Sequence, residues 1–254
     1  MTAPIIDIEL SAPVNLRDLG GIPIAGGVLK EGLALRADDL SVITDEDARL
    51  LVDNGLAAVI DLRTNEEAAV TGRGPLANHP VAYHHLPLME SIRAGIPDGG
   101  TPVIEHVAMG EMYALMVETA APQLASALGI IALAPGTTAF HCAAGRDRTG
   151  VLAAALLLAL GAADEDIVTD YARTHPNMTA ILQRLRPTMG ALMARLGFDL
   201  DAMSAVTFSD EPMEISMHTM LARLRERHSD ALAPLRAAGL GGETIARLRE
   251  RALA

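Results

Sequence analysis

Residues 136–162 have the sequence GTTAFHCAAGRDRTGVLAAALLLALGA, in which two apolar runs flank a glycine-containing loop. The first run, 136–142, has the composition of a short buried strand, and residues 148–162 predict the helix that follows it. The apolar run Val151–Gly161 is well short of the roughly 18 to 20 residues that a membrane-spanning helix needs. A strand, a short loop and a helix in this order form the basic unit of a parallel sheet covered by helices.

Two further segments predict strands, and a third predicts a hairpin. Residues 57–63, AAVIDLR, are apolar and β-branched before they end in charge, which is typical of a buried parallel strand. Residues 83–88 are the candidate for the next strand. The glycine pairs within residues 15–36 predict a β-hairpin or meander.

Helices are predicted between these strands. In residues 44–56, Thr44 and Asp47 have the spacing of a capping box, and Gly55 marks the end of the helix. A longer helical stretch extends from about 104 to 133 and is predicted to break at Pro122. Together, these elements predict an α/β fold with a parallel central sheet flanked by helices on both sides.

We expect one domain over residues 1–254, with a helical lid or extension around 163–254. Methionines are scattered through this C-terminal part, and core packing is their favoured interpretation, because apolar helix positions usually face a core. The alternative is a lid that covers an apolar group of a substrate. The methionines concerned are Met189, Met193, Met203, Met213, Met217 and Met220.

Composition limits the possible partners and the compartment. The net charge is −12, from 32 acidic and 20 basic residues, and aromatic residues are only 2% of the chain, so nucleic acid is not the expected partner. An acidic protein that binds phosphate must concentrate positive charge locally, which draws attention to Arg146 and Arg148. With a single cysteine and no evident signal peptide, the expected compartment is the cytoplasm, and export by a route without a signal peptide stays open.

Cys142 is the candidate nucleophile, because it lies between a predicted strand and a predicted helix. Backbone N–H groups of the loop, together with the positive end of the helix dipole, would bind an anion there and favour the thiolate. Arg148 would hold two phosphoryl oxygens with its planar guanidinium, and Thr149 would hydrogen-bond the sulfur as it leaves. His141 is expected to support the loop. The residues predicted to contact the bound anion are Ala143, Ala144, Gly145, Arg146, Asp147 and Arg148.

Hydrolysis through a phosphocysteine also needs a group that protonates the leaving oxygen and then activates water. Asp147 lies within the loop, and Asp61 lies at the end of the strand in 57–63. The residues alone leave both open, with Asp147 ahead only because its position guarantees proximity to Cys142.

The sequence HCAAGRDRTG resembles the HCxxGKDRTG signature of the atypical bacterial tyrosine phosphatases, a family described as acting on phosphotyrosine, phosphoserine/threonine and phosphoinositides. Further resemblances lie in NLRDLGG (15–21), GLALRADDL (32–40) and VIDLRTNEE (59–67), with looser matches at 166–175 and 237–253, all in the family's order. The resemblance implies a cysteine-dependent phosphatase with a C-terminal helical lid.

Residue by residue, the resemblance assigns the nucleophile to Cys142, the phosphate-binding arginine to Arg148 and the in-loop aspartate to Asp147. Arg146 stands where the family usually has a lysine that is associated with additional phosphates on phosphoinositides. The implied substrates are phosphorylated proteins or phospholipid headgroups, and no cofactor or metal is expected. Two alternatives remain, namely a phosphate-recognition module without catalysis and a sulfurtransferase that carries a persulfide on Cys142.

Overall fold

The computed structural model describes residues 9–91, 103–196, 207–209 and 211–253. Its centre is a five-stranded sheet with the strand order β1-β4-β8-β5-β6. The strands are β1 (Arg17–Asp18), β2 (Pro23–Ile24), β3 (Gly27–Val28), β4 (Ala34–Ala37), β5 (Leu56–Asp61), β6 (Ala82–His85), β7 (Val103–Ile104), β8 (Thr137–His141) and β9 (Thr207–Phe208). The pairs β2–β3 and β7–β9 each form a separate two-stranded sheet.

The central sheet is parallel except at one edge. β8 pairs in parallel with both β4 and β5, and β5 pairs in parallel with β6, whereas the edge strand β1 is antiparallel to β4. Because side chains alternate along a strand, successive residues of β5 and β8 enter different apolar clusters. Ile60 and Phe140 belong to the larger cluster, whereas Val59 and Ala139 belong to the smaller one. The sheet is therefore buried on both faces, and the predicted α/β class is confirmed.

Ten α-helices are described around this sheet. They are α1 (Asp45–Asp53), α2 (Asn65–Thr71), α3 (His106–Thr119), α4 (Ala121–Leu133), α5 (Asp147–Leu160), α6 (Asp164–Ala172), α7 (Met178–Leu196), α8 (Glu214–Arg227), α9 (Ala233–Ala237) and α10 (Gly242–Leu253). Three short 3-10 helices occupy Leu40–Val42, Gly74–Asn78 and His175–Asn177. α5 directly follows β8 and is almost entirely buried.

Local sequence signals account for several of these elements. The Thr44 side chain accepts a hydrogen bond from the N–H of Asp47 at the start of α1, as the capping spacing predicts. The predicted helical stretch 104–133 is broken at Ala120, two residues before Pro122, which occupies the first turn of α4, where proline is tolerated. The predicted hairpin is present as β2–β3.

β4 is one of the elements that sequence patterns missed, as are α2, β7 and β9. β4 lies inside the predicted meander of residues 15–36 and continues to Ala37, yet it joins the central sheet in parallel beside β8. A four-residue strand has too few residues for its alternation to be recognised. Its place in the sheet brings Ala37 and the following residues beside the end of β8.

The helices of the predicted lid region, 163–254, pack in two different apolar clusters. Residues of α6, α8, α9 and α10 belong to the large apolar cluster, whereas α7 contributes Ile181 and Leu185 to a small separate cluster. Met203 lies outside the described residues. The predicted core packing is confirmed for Met213, Met217 and Met220, which belong to the large cluster, and Met193 of α7 is also buried.

No single helix of the described residues is long and apolar enough to cross a membrane. α3 and α4 meet the length and composition criteria only together, as a pair bent by 76°.

Candidate active site

The loop after β8 carries Cys142 and ends where α5 begins at Asp147. Gly145 makes its tight turn possible, because its φ is +66° and an added Cβ would lie 2.5 Å from the carbonyl oxygen of Ala37. Only glycine fits both the backbone conformation and the close approach of β4.

Contacts from outside hold the loop carbonyls. Asn15 Nδ2 donates to the carbonyls of Gly145 and Ala144 at 3.1 and 3.4 Å, Arg36 Nη2 donates to Gly145 O at 2.9 Å, and the Asp39 N–H donates to Ala143 O at 3.0 Å. In a trans peptide the C=O and the N–H point in opposite directions. The three outward carbonyls therefore turn the N–H groups of residues 144, 145 and 146 toward the centre of the loop, as an anion site requires.

A buried ion-pair cluster supports these outer contacts. Asp170 of α6 pairs with Arg36 at 2.5 Å and with Arg17 at 2.9 Å, and all three side chains are less than 10% exposed. Burial and the neighbouring Arg36 lower the pKa of Arg17 to about 10. Burial opposes the charge of Asp170, but the two arginines outweigh it, so the pKa of Asp170 lies below its ordinary value.

Cys142 is 1% exposed and lies at the base of the loop. Thr149 Oγ1 donates a hydrogen bond to Cys142 Sγ at 3.2 Å, from the first turn of α5. His141 is also buried, with Nδ1 3.3 Å from the Leu40 N and 3.1 Å from the Cys142 carbonyl. Its position fits a supporting role for the loop.

Arg148 is held by a carboxylate that sequence reasoning had not placed among the site residues. Its Nη1 and Nη2 donate to Glu67 Oε2 and Oε1 at 2.5 and 2.9 Å. Glu67 also accepts from the N–H of Thr64 at 2.7 Å and so completes the capping box of α2. Two sequence signals pointed to Glu67, namely the Thr-x-x-Glu spacing of a capping box and its place as the last acidic residue of VIDLRTNEE.

The charges of this pair support each other. Burial would raise the pKa of Glu67, but the charge and hydrogen bonds of Arg148 outweigh that effect and bring it below its ordinary value. Burial likewise opposes the charge of Arg148, and Glu67 again outweighs it, so the pKa of Arg148 is raised. Both groups therefore stay ionised.

Asp61 lies at the end of β5, opposite His141 of β8, so the two strand ends with polar residues are adjacent. Its carboxylate is fully buried and accepts hydrogen bonds from Arg63 Nη2 at 2.6 Å and Tyr83 Oη at 2.8 Å. Burial acts against the ionised form, but His141 and Arg63 lower the pKa of Asp61 far below its ordinary range. Arg63 itself bridges to Asp39, at 3.1 Å.

Asp147 and Arg146 lie at the start of α5 beside two buried tyrosines. Tyr113 Oη donates to Asp147 Oδ1, and Arg146 Nε lies 3.8 Å from the same oxygen. Arg146 Nε also donates to Tyr171 Oη at 3.2 Å. The Arg146 side chain is only 3% exposed, whereas that of Asp147 is 29% exposed.

α7 covers the loop. Its residues Ile181 and Leu185 form a buried cluster with Ala143, against which Met189 also packs. Arg184 of the same helix donates to Asp38 Oδ2 at 2.7 Å, to the Asp39 carbonyl at 2.9 Å, and to the side chain and the carbonyl of Ser11.

The arrangement thus combines a thiol, a loop whose N–H groups turn toward its centre, a charged guanidinium and a partly exposed carboxyl group. In the part of the chain that the structure describes, no group of three or more His, Cys, Asp or Glu side chains is placed to hold a metal ion.

Comparisons with known proteins agree with this chemistry. A profile described as "Tyrosine phosphatase family" matches residues 8–254. A Cupriavidus necator protein, provisionally named a tyrosine-protein phosphatase, is 33% identical over 202 residues, which are 75% of this chain and 70% of that protein. The triple specificity protein phosphatase PtpB of Mycobacterium tuberculosis is 25% identical over 275 residues, covering 95% of this chain and 97% of PtpB.

Among solved structures, P. aeruginosa TpbA in complex with pTyr matches 73% of this chain and 85% of its own. The sequence identity is 13% and the TM-score is 0.29.

Proposed function

This chain belongs to the tyrosine phosphatase family and is a protein-tyrosine phosphatase, and we propose that it hydrolyses phosphomonoesters through a covalent phosphocysteine at Cys142. The observation that carries this proposal is the contact of Cys142 Sγ with Thr149 at the base of the loop whose N–H groups converge. The Thr149 hydroxyl donates to this sulfur, so it is placed to stabilise the negative charge on the sulfur when the S–P bond breaks.

In the first step, the Cys142 thiolate attacks phosphorus, the bond from phosphorus to the leaving oxygen breaks, and Asp147 gives that oxygen its proton. In the second step, water attacks the phosphocysteine, Asp147 takes a proton from the water, and the S–P bond breaks. Thr149 donates to the departing sulfur. The products are an alcohol or phenol and inorganic phosphate.

Arg148 can bind the phosphoryl group without releasing Glu67. A guanidinium has five N–H donors, and the pairing with Glu67 uses two of them. Three donors remain, including Nε–H, for the equatorial oxygens whose charge Arg148 stabilises in the transition state.

Access to the site requires movement of α7. Cys142 is 1% exposed, and the apolar residues of α7 pack over Ala143 next to it. A phosphate must reach Sγ directly, so we infer that α7 acts as the lid and moves away before substrate binds.

Phosphotyrosine is the favoured substrate, because phenoxide leaves more easily than an alkoxide. Because the name of PtpB describes a triple specificity, phosphate esters other than phosphotyrosine are worth testing with this chain. Activity on phosphoinositides is a separate question, because Arg146 replaces the family's lysine and its Nε is engaged by Tyr171.

The first experiment measures hydrolysis of p-nitrophenyl phosphate with EDTA present, from pH 5 to 8, by wild type and Cys142→Ser. We expect turnover by wild type and its loss in the variant. If neither protein turns over, or if the serine variant equals wild type, Cys142 is not the nucleophile. Thiocyanate formation from thiosulfate and cyanide would then favour the sulfurtransferase.

Asp147 is the proposed acid, with Asp61 as the alternative that the sequence leaves open. Asp61 is fully buried and strongly held in its ionised form by Arg63, which suits a structural carboxylate better than a proton donor. We expect Asp147→Asn to lower turnover of alkyl phosphates by about 100-fold or more and that of p-nitrophenyl phosphate much less. Equal losses on both substrates would remove the acid role from Asp147.

A further inference from the structure

A chain of three hydrogen bonds connects the two residues at the start of α5. Arg146 Nε contacts Tyr171 Oη at 3.2 Å, Tyr171 Oη contacts Tyr113 Oη at 2.9 Å, and Tyr113 Oη contacts Asp147 Oδ1. Both tyrosines are fully buried, on α6 and α3. Arg146 and Asp147, which are adjacent in the sequence, are thus also connected through two buried tyrosines.

The direction of every bond in this chain follows from the groups at its ends. A guanidinium can only donate, so Tyr171 accepts from Arg146. A carboxyl oxygen that carries no proton can only accept, so the single hydroxyl proton of Tyr113 is donated to Asp147 Oδ1. The remaining bond must then run from the Tyr171 hydroxyl to the Tyr113 oxygen.

We propose that Tyr113 is a positioning residue that holds Asp147 Oδ1 as a hydrogen-bond acceptor and thereby assigns the transferable proton to Oδ2. The proposal rests on the proposed function, since it concerns the proton that Asp147 transfers.

The surroundings of the two oxygens differ in the way this role requires. Oδ1 accepts from Tyr113, whereas no hydrogen bond from any described residue reaches Oδ2. The Asp147 side chain is 29% exposed, so its second oxygen can face a substrate. In the first step Oδ2 loses its proton to the leaving oxygen, and in the second it takes one from water. Oδ1 keeps the Tyr113 hydrogen bond throughout.

Tyr113 does not itself exchange its proton. Burial, the charge of Asp147 and the neighbouring Tyr171 raise its pKa well above the ordinary value of 10.0. Burial likewise raises the pKa of Tyr171. Both hydroxyls therefore remain protonated at every pH at which the enzyme would work.

The tyrosine pair is fixed against α5 by packing. The rings meet edge to face, with centroids 6.1 Å apart. A Cβ added at Gly150 would lie 3.0 Å from the Tyr171 ring, so the ring lies directly on the helix backbone. The distance from the hydroxyls to the start of α5 is therefore set by rigid elements, and such orientation can be worth orders of magnitude in rate.

The test compares Tyr113→Phe with Tyr171→Phe on a series of aryl and alkyl phosphates with leaving groups of increasing pKa. Each variant removes one hydroxyl from the same buried pair, but only Tyr113 touches Asp147. We expect Tyr113→Phe to lower kcat/KM for alkyl phosphates about 10-fold, and for p-nitrophenyl phosphate by less than about 3-fold. Tyr171→Phe loosens Arg146, so any loss should be of similar size for every leaving group.

A double-mutant cycle makes the assignment specific. If Tyr113 acts through Asp147, adding Tyr113→Phe to Asp147→Asn should cause no further loss on alkyl phosphates. The proposal would be overturned if the fold-losses in kcat/KM of the two single variants multiplied in the double variant. It would also be overturned if Tyr113→Phe lowered kcat/KM equally for all leaving groups. Wild type that hydrolyses none of these esters would instead contradict the proposed function.

Circular dichroism and urea unfolding establish that each variant folds. If Tyr113→Phe does not, 3-fluorotyrosine at position 113 keeps the ring and the hydroxyl but strengthens the donor. It should then change the ratio of alkyl to aryl turnover from that of wild type, and an unchanged ratio would overturn the proposal.

Discussion

The guanidinium of Arg148 is oriented by Glu67, so substitution of Glu67 should lower activity. Glu67→Gln removes the charge but keeps the side-chain oxygen that caps α2, since glutamine also serves in a capping box. We expect kcat/KM for p-nitrophenyl phosphate to fall about 10- to 100-fold, because Arg148 loses its bidentate partner and its orientation. Steady-state kinetics check this.

Glu66→Gln is the matched control for that variant. Glu66 is the neighbouring residue of α2, and its carboxylate contacts the Ser91 hydroxyl at 3.1 Å rather than Arg148. Its kinetics should stay within about 2-fold of wild type if the effect at position 67 comes from orientation of Arg148. Similar losses in both variants would instead point to a general disturbance of α2. Urea unfolding of both separates activity from stability, since removing one partner of a buried ion pair typically costs about 3–5 kcal/mol.

At the scale of elements, Arg184 joins α7 to the residues that follow β4. Its guanidinium connects α7 to Asp38 and Ser11, next to β4 and near the N-terminus of the described chain. Arg184→Ala should shift α7 toward open positions and speed alkylation of Cys142 by iodoacetamide by about 5- to 30-fold, the effect of 1–2 kcal/mol. Mass spectrometry follows the reaction unambiguously because Cys142 is the only cysteine.

Arg186→Ala is the control for α7, because Arg186 is exposed on the same helix two residues away. Arg186→Ala also removes an arginine side chain from α7, but it should leave the rate of Cys142 alkylation near that of wild type. Equal rates for wild type and Arg184→Ala would mean that Arg184 does not limit access to Cys142.

For the molecule as a whole, buried carboxylates determine the response to acid. The pKa values of Asp61, Glu67 and Asp170 lie below their ordinary values of 3.8, 4.5 and 3.8. A depressed native pKa contributes stability that is complete above the unfolded-state value and is lost as the pH falls toward the native value. The free energy of unfolding should therefore decrease below about pH 4.5. A separate decrease should begin near pH 6.5, because burial and the charge of Arg146 also lower the pKa of His106. Urea titrations at successive pH values will test both.

Asp170→Asn tests the same idea through one group. It should lower the free energy of unfolding at pH 7 by about 3–5 kcal/mol, since Arg36 and Arg17 would lose their shared partner, and it should flatten the decrease below pH 4.5. Asp164→Asn is the surface control, because its pairing with Arg225 is largely solvent-exposed and such pairs contribute about 0–1 kcal/mol. An Asp170→Asn curve that parallels wild type would contradict the assignment.

The elements whose signals are local were predictable from the sequence. The unit of β8, loop and α5 follows from two apolar runs around a glycine-containing loop, and α1 follows from its capping residue. Cys142 and Thr149 come together for the same reason, because they lie seven positions apart in one strand–loop–helix unit. The family resemblance rests on motifs of this local kind.

The contacts that orient the site were decided by the tertiary structure. Glu67 and Arg148 are 81 residues apart, Tyr113 and Asp147 are 34 apart, and each pair meets only because the parallel sheet brings separate helices to the same edge. No periodicity or spacing encodes such pairs, since each partner alone is an ordinary helical residue. The same holds for α7, whose apolar face gives no sign in the sequence that it packs on this loop rather than in the main core. Local patterns reflect backbone preferences over a few residues, whereas these contacts depend on how distant elements pack.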